Sequence, residues 1–197
     1  KTDDSIPVLE TIYFGGGTPS LLSAEHLSKI FFAIRQHYII AENAEITLEA
    51  NPDDLTGEKL DELKLTPINR LSIGVQSFFD EDLKLMNRAH DAAMAKQSVL
   101  LAAVAGFKNI TIDLIYGVPG MTAERWKENL DTAFSLPVQH LSCYSLTVEK
   151  RTVLDKMIRE GIVPNIDDEL STSHFIQLIS EASKHGFDHY EISNFGK

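Results

Sequence analysis

The chain has 197 residues, 43% hydrophobic and 24% charged, which suits a single globular domain with a sizeable buried core. Eighteen Lys and Arg against 29 Asp and Glu give a net charge of −11 with no basic run, so the electrostatic footprint of a nucleic-acid binder is excluded. No stretch approaches the roughly 20 apolar residues of a membrane-spanning helix, and a lone cysteine, Cys143, rules out an internal disulfide and points to the cytoplasm.

Six β-prone runs recur along the chain, at 9–14, 45–50, 70–76, 109–117, 140–148 and 187–193, with helix-like stretches between them. The first run, "LETIYF", leads into Gly15-Gly16-Gly17-Thr18-Pro19-Ser20. Ser23 then caps a helix whose Leu27, Ile30, Phe31 and Ile34 fall at helical spacing. Thr56 opens the second helix and Asp80 the third, 92–105 is helix-prone up to Gly106, Thr122 opens another, and Asp168 or Ser171 opens the last, which stops at Gly186. Strands alternating with helices predict a mostly parallel α/β sheet with outer helices, a partial barrel of six βα units, with an open doubly wound sheet as the alternative. Residues 1–197 are expected to form one domain. The chain opens on Lys1 and stops directly after a strand-like run, so both ends are expected to be truncated.

Parallel α/β proteins bind ligands at the carboxyl ends of their strands. The candidates there are the turn from Gly15 to Thr18, Glu49 before Asn51-Pro52, Gln76, Asp113, the Tyr144-Ser145 pair, and Glu191. The glycine run lacks the Lys-Ser/Thr of a P-loop and the spacing of G-x-G-x-x-G. One or two glycines would make a tight turn, whereas three suit a strand end whose main chain receives a polar ligand. Glu49 either reaches a ligand or caps the next turn, and Asp53 and Asp54 read as a solvated loop. Asp113 lies among Ile112, Leu114 and Ile115, so a partner must face it: a core Arg, with Arg70 and Arg88 available, or a ligand. Gln76 shares a small, polar strand face with Ser72 and Gly74. Cys143 reads as a small buried hydrophobe, and no Cys/His cluster completes a metal site.

In order, "YFGGGTPS", "EANP", "NRLSIGVQSF", "NRAH", "DLIYGVPG", "YSLTVEKRT" and "YEISNF" resemble the radical S-adenosylmethionine family of oxygen-independent coproporphyrinogen III oxidases, closest to its haem-chaperone branch, HemW. The resemblance implies a partial (β/α)6 barrel that binds S-adenosylmethionine and a [4Fe–4S] cluster, with an electron donor for the cluster and haem or a porphyrinogen as partner. It implies that Gly15, Gly16, Gly17 and Thr18 receive the amino end of the cofactor, with Glu49, Gln76, Arg88 and Asp113 around the rest and Ser145 near the adenosyl part. Arg88 would meet the carboxylate. The family's Cys-x-x-x-Cys-x-x-Cys, which holds the cluster, is absent from this chain, as are the H-N-x-x-Y-W segment and the C-terminal domain. Thr66-Pro67-Ile68 stands where relatives carry a Gly. The output is then haem binding and delivery or, alternatively, oxidative decarboxylation of porphyrinogen propionates through a 5′-deoxyadenosyl radical. A non-radical barrel enzyme is the remaining alternative.

Overall fold

The structure, a computed structural model, describes residues 6–197; Lys1, where the expected domain begins, lies outside the described residues. Strands β1 (Val8–Phe14), β2 (Ile39–Ala50), β3 (Arg70–Gln76), β4 (Asn109–Tyr116), β5 (His140–Ser145), β6 (Asp188–Glu191) and β7 (Asn194–Gly196) form one sheet in the order β1-β2-β3-β4-β5-β7-β6. The first five pair in parallel, each with its sequence neighbour, and the sheet curls into a half-barrel.

Helices α1 (Ala24–Arg35), α2 (Gly57–Lys64), α3 (Asp80–Leu85), α4 (Ala92–Val104), α5 (Ala123–Ser135), α6 (Val153–Arg159) and α7 (Asp168–Lys184) carry the crossovers. Local chemistry sets their starts. The side chains of Ser23, Thr56, Asp91, Thr122, Thr152 and Asp167 each accept a backbone N–H from the first turn of the helix that follows. Asp167 caps α7 one residue before the expected start. Gly106 and Gly186, at φ +97° and +75°, supply the left-handed stops after α4 and α7.

One expectation changes at the carboxyl end. The run 187–193 is not a sixth parallel strand but the first arm of a hairpin, in which β6 pairs antiparallel with β7 and β7 pairs antiparallel with β5. Its cause is the turn after Glu191, whose carboxylate accepts the Ser193 N–H at 3.1 Å and the Asn194 amide. Glu191 is therefore a turn-forming acceptor and not a strand-end ligand. β2 also starts earlier than expected, at Ile39, and α6 falls where no helix was expected.

The strands alternate sharply. On one face Leu71, Ile73, Val75, Ile110, Ile112, Leu114, Leu141 and Cys143 are buried under the helices, against Leu60 and Leu63 of α2, Val99 of α4, Trp126 and Leu130 of α5, and Leu178 of α7. The other face is polar: Glu45, Thr47 and Glu49 on β2, Arg70, Ser72 and Gln76 on β3, Thr111 and Asp113 on β4, His140 and Ser142 on β5. A closed (β/α)8 barrel fills that inner face with branched apolar side chains. Here it is built of charges and hydroxyls, which asks for polar partners. At the amino ends of the strands Arg70 supplies them, donating to Glu45 and to Thr111 Oγ1, both at 2.7 Å. Among the described residues no helix is long and apolar enough to cross a membrane.

Candidate functional site

The carboxyl ends of β1 to β4 meet around the glycine turn. Gly16 and Gly17 sit at φ +80° and +66°, the left-handed region that side chains rarely adopt, and a Cβ added at either would touch nothing within 4 Å. Their backbone therefore faces open space. Gly15 is different, because a Cβ there would lie 2.8 Å from Tyr13 Cε1 and 3.1 Å from Glu49 Oε1. Glu49 clasps the turn: its carboxylate accepts the Tyr13 hydroxyl at 2.9 Å and the Gly16 N–H at 3.1 Å. Burial, with Glu49 alongside, pushes the Tyr13 phenol up to about 12, so it stays a neutral donor.

Beyond the turn, Pro19–Leu21 and Pro52–Asp54 each form a short 3-10 turn. Ser20 Oγ donates to Asp54 Oδ2 at 2.7 Å, and Asn51 Nδ2 lies 3.4 Å from the same oxygen. Asp54 is thus a cross-link between the two strand ends rather than part of a solvated loop. Asp53 is exposed, as expected, and lies 3.8 Å from His90 Nδ1.

Arg88 enters from the segment after α3, where Asn87 takes φ +54°. Its Nη2 donates to Asn51 Oδ1 at 2.9 Å and to the Gly74 carbonyl at 3.2 Å. Gln76 closes β3 at φ +67°, beside a register shift against β4. Such strain in a non-glycine residue is tolerated where the surrounding structure enforces it, often at a site.

Asp113 does not form the ion pair expected of a core carboxylate. Arg70 is engaged by Glu45, and Arg88 by Asn51 and Gly74. Ser72 Oγ lies 3.5 Å from Asp113 Oδ1, and the Ser142 hydroxyl and the Arg88 charge also favour the ionised form without outweighing burial. Burial, reinforced by the negative charge of Glu49, raises the Asp113 carboxyl from 3.8 to about 6.

Gly17, Thr18, Glu49, Gln76, Arg88 and Asp113 line one cleft of about 190 Å3, together with Asn51, Ser72 and Gly74. Gly15 and Gly16 shape its rim without lining it, and Ser145 lies at the exposed end of β5, outside the lining. Asn51 and Ser20, which also line the cleft, are not among the expected site residues; their only sequence signal is their place just after a strand and just after the glycine turn. Gln76 and Arg88 also line a second, larger groove of about 420 Å3, whose other wall is Ile115, Leu146, Val148, Val153, Leu154 and Met157.

The cleft carries both signs of charge on a small scale. Two carboxyl groups, Glu49 and Asp113, face it with no ion pair formed among the described residues, while Arg88 brings a guanidinium and the glycine turn brings open backbone. A zwitterion with an additional positive centre fits this set, its carboxylate toward Arg88 and its cationic groups toward the carboxylates. A cluster of thiolate-held iron does not fit these residues: Cys143 is fully buried on the helix-covered face, and burial pushes its thiol well above the ordinary value.

The family model described as the Radical SAM superfamily matches residues 3–133. The heme chaperone HemW of Bacillus subtilis (strain 168) is 40% identical over 192 residues, covering 97% of this chain and 51% of the relative. That of Lactococcus lactis subsp. lactis (strain IL1403) is 39% identical over 191 residues, covering 97% and 50%. Among solved structures, the coproporphyrinogen III oxidase HemN of Escherichia coli, described as a radical SAM enzyme, superposes with a TM-score of 0.84 at 26% identity, over 96% of this chain and 44% of that one. The chain spans about half the length of the curated relatives it matches. A half-barrel with a polar inner face, a glycine turn clasped at its carboxyl edge, and a family match over most of its length lead to one conclusion: the chain belongs to the radical SAM superfamily and is similar to its HemW members.

Proposed function

We propose that the cleft binds S-adenosylmethionine and that the intact protein is a haem-handling radical SAM protein of the HemW type. The observation that carries the reading is the pair of carboxyl groups, Glu49 and Asp113, held at the cleft without an ion pair among the described residues, with Arg88 engaged elsewhere in the same lining. Setting the desolvated Asp113 carboxyl beside a second carboxyl group in this way is unfavourable unless a ligand supplies positive charge. Gly17 and Thr18 would receive the amino end of the cofactor on the backbone, Arg88 its carboxylate, and Glu49, Gln76 and Asp113 the remaining polar groups. Gly15 and Gly16 hold the turn, and Ser145 lies on the adenosyl side.

Within the family's chemistry a [4Fe–4S] cluster supplies the electron that cleaves the cofactor. The chain's single cysteine cannot furnish its thiolates, so three ligands would have to come from outside these 197 residues, with an external electron donor to reduce the cluster. What this chain contributes is binding and orientation. The clasp of Glu49 on Tyr13 and Gly16 fixes the turn, the cross-link from Ser20 through Asp54 and Asn51 reaches Arg88, and the packed layer beneath β3 and β4 keeps water from the buried side of Asp113.

The curated relatives' name supports haem as the partner. Oxidative decarboxylation of a porphyrinogen is the second reading, favoured by the HemN superposition. A lone reduced cysteine, buried, is consistent with a cytoplasmic protein, and the net charge of −11 with a nucleic acid not being the partner. The test uses the intact protein, reconstituted with iron and sulfide without oxygen. Calorimetry should show S-adenosylmethionine binding and haem titration should produce a Soret shift, without decarboxylation of coproporphyrinogen. Decarboxylated product identifies the oxidase instead, and failure to bind S-adenosylmethionine sinks the reading of the cleft.

A further inference from the structure

Gly74 lies in the middle of β3 on the polar face, between Ser72 and Gln76, at a backbone angle outside the left-handed region. Glycine inside a strand costs about 0.5–1 kcal/mol and gives no side chain to pack, so its presence needs another reason. Space is that reason. A Cβ at Gly74 would stand 2.9 Å from Gln76 Nε2 and 3.1 Å from Arg88 Nη2, both nearer than a real methyl can lie without displacing its neighbour. The bare backbone lets the amide and the guanidinium lie across the strand, and the Gly74 carbonyl itself accepts from Arg88 at 3.2 Å.

The second anchor is Asn51. Its Nδ2 faces Asp54 and its Oδ1 accepts from Arg88, an amide orientation set by the carboxylate on one side and the guanidinium on the other. Arg88 is thereby held from two strands at once, from the end of β2 and the middle of β3. Because Gln76 and Arg88 line both the small polar cleft and the larger apolar groove, where these two side chains lie decides the wall between them.

We propose that Gly74 is a positioning residue for the cofactor site: by lacking a side chain it sets the place of the Arg88 guanidinium, and so the contact with the ligand carboxylate. This rests on reading the cleft as the S-adenosylmethionine site. A methyl at Gly74 crowds only the far ends of two flexible side chains and meets the Ala50 carbonyl at an ordinary 3.8 Å, so the fold can absorb it while the site cannot.

The test is a double-mutant cycle in the intact, reconstituted protein, with Gly74→Ala, Arg88→Ala and both together, read by calorimetric S-adenosylmethionine affinity and by thermal melting. Gly74→Ala should lose at least tenfold in affinity with a melt within a few degrees of wild type. The double variant should bind no more weakly than Arg88→Ala alone, because Gly74 acts through Arg88. 5′-Methylthioadenosine, which lacks the carboxylate, should bind wild type and Gly74→Ala alike. Unchanged affinity in Gly74→Ala, losses that add in the double variant, or equal weakening of 5′-methylthioadenosine would each overturn the proposal. Should Gly74→Ala prove too unstable to titrate, Gly74→Ser joins the cycle under the same criteria, and an unfolded Gly74→Ser assigns the position to stability and overturns the proposal too. If wild type itself fails to bind S-adenosylmethionine, the reading of the cleft falls first and takes this proposal with it.

Discussion

Asp113→Asn separates stability from binding more sharply than any other change at the cleft. The substitution keeps the shape and removes the charge. Raising the carboxyl from 3.8 to about 6 means that ionising it inside the fold costs up to about 3 kcal/mol more than ionising it in the unfolded chain, at about 1.4 kcal/mol per pH unit. The sign follows from proton counting. Between pH 3.8 and about 6 the folded protein holds a proton that the unfolded chain has released, so stability falls as pH rises through this window, and the full penalty applies above about 6. Asp113→Asn should therefore stabilise the ligand-free protein at pH 7.5 by as much as about 3 kcal/mol, a melting increase of roughly 6–12 °C, and by nothing below pH 4. The same variant should lose at least tenfold in S-adenosylmethionine affinity, about 1.4 kcal/mol. Urea titrations of both proteins at pH 4 and 7.5, with calorimetry at the higher pH, measure all three quantities. A variant destabilised at pH 7.5, or a stability difference that does not change with pH, would show that Asp113 has a structural partner, and the reasoning would be wrong.

Gly17→Val forces a β-branched residue to φ +66°, which should cost roughly 1–2 kcal/mol in urea unfolding and abolish cofactor binding, whereas Gly17→Asn should restore most of the stability. Tyr13→Phe removes the hydroxyl that Glu49 accepts at 2.9 Å; calorimetry should find the affinity several-fold weaker, with stability lowered by only about 1 kcal/mol. Burial holds His90, His140 and His174 below the ordinary imidazole value, His140 down at about 4. Below pH 6.5 the unfolded chain gains protons that these rings refuse, so stability should fall as pH drops from 6.5 toward 4, opposite to the Asp113 effect, and the decline should be shallower in His140→Gln.

The helix starts were legible in the sequence because capping is local: Ser23, Thr56 and Thr122 accept from residues three positions on, within the stretch that any reader of the chain can see. The polar inner face of β3 was legible for the same reason, since strand alternation places Ser72, Gly74 and Gln76 together whatever they face. The strand-end rule then brought Glu49, Gln76 and Asp113 to one edge, and the motif resemblance joined Arg88 to them. Pairing across distance was not legible. That Arg70 belongs to Glu45, that Arg88 bonds Asn51 and forms no ion pair with Asp113, and that Asp54 binds Ser20 from 34 positions away depend on which strands lie side by side, which only the folded sheet decides. The hairpin of β6 and β7 escaped for a similar reason. Its β-prone residues do form a strand, but its direction was set by a carboxylate closing a turn on Ser193 and Asn194 and by the free edge of β5, and propensity carries no information about direction.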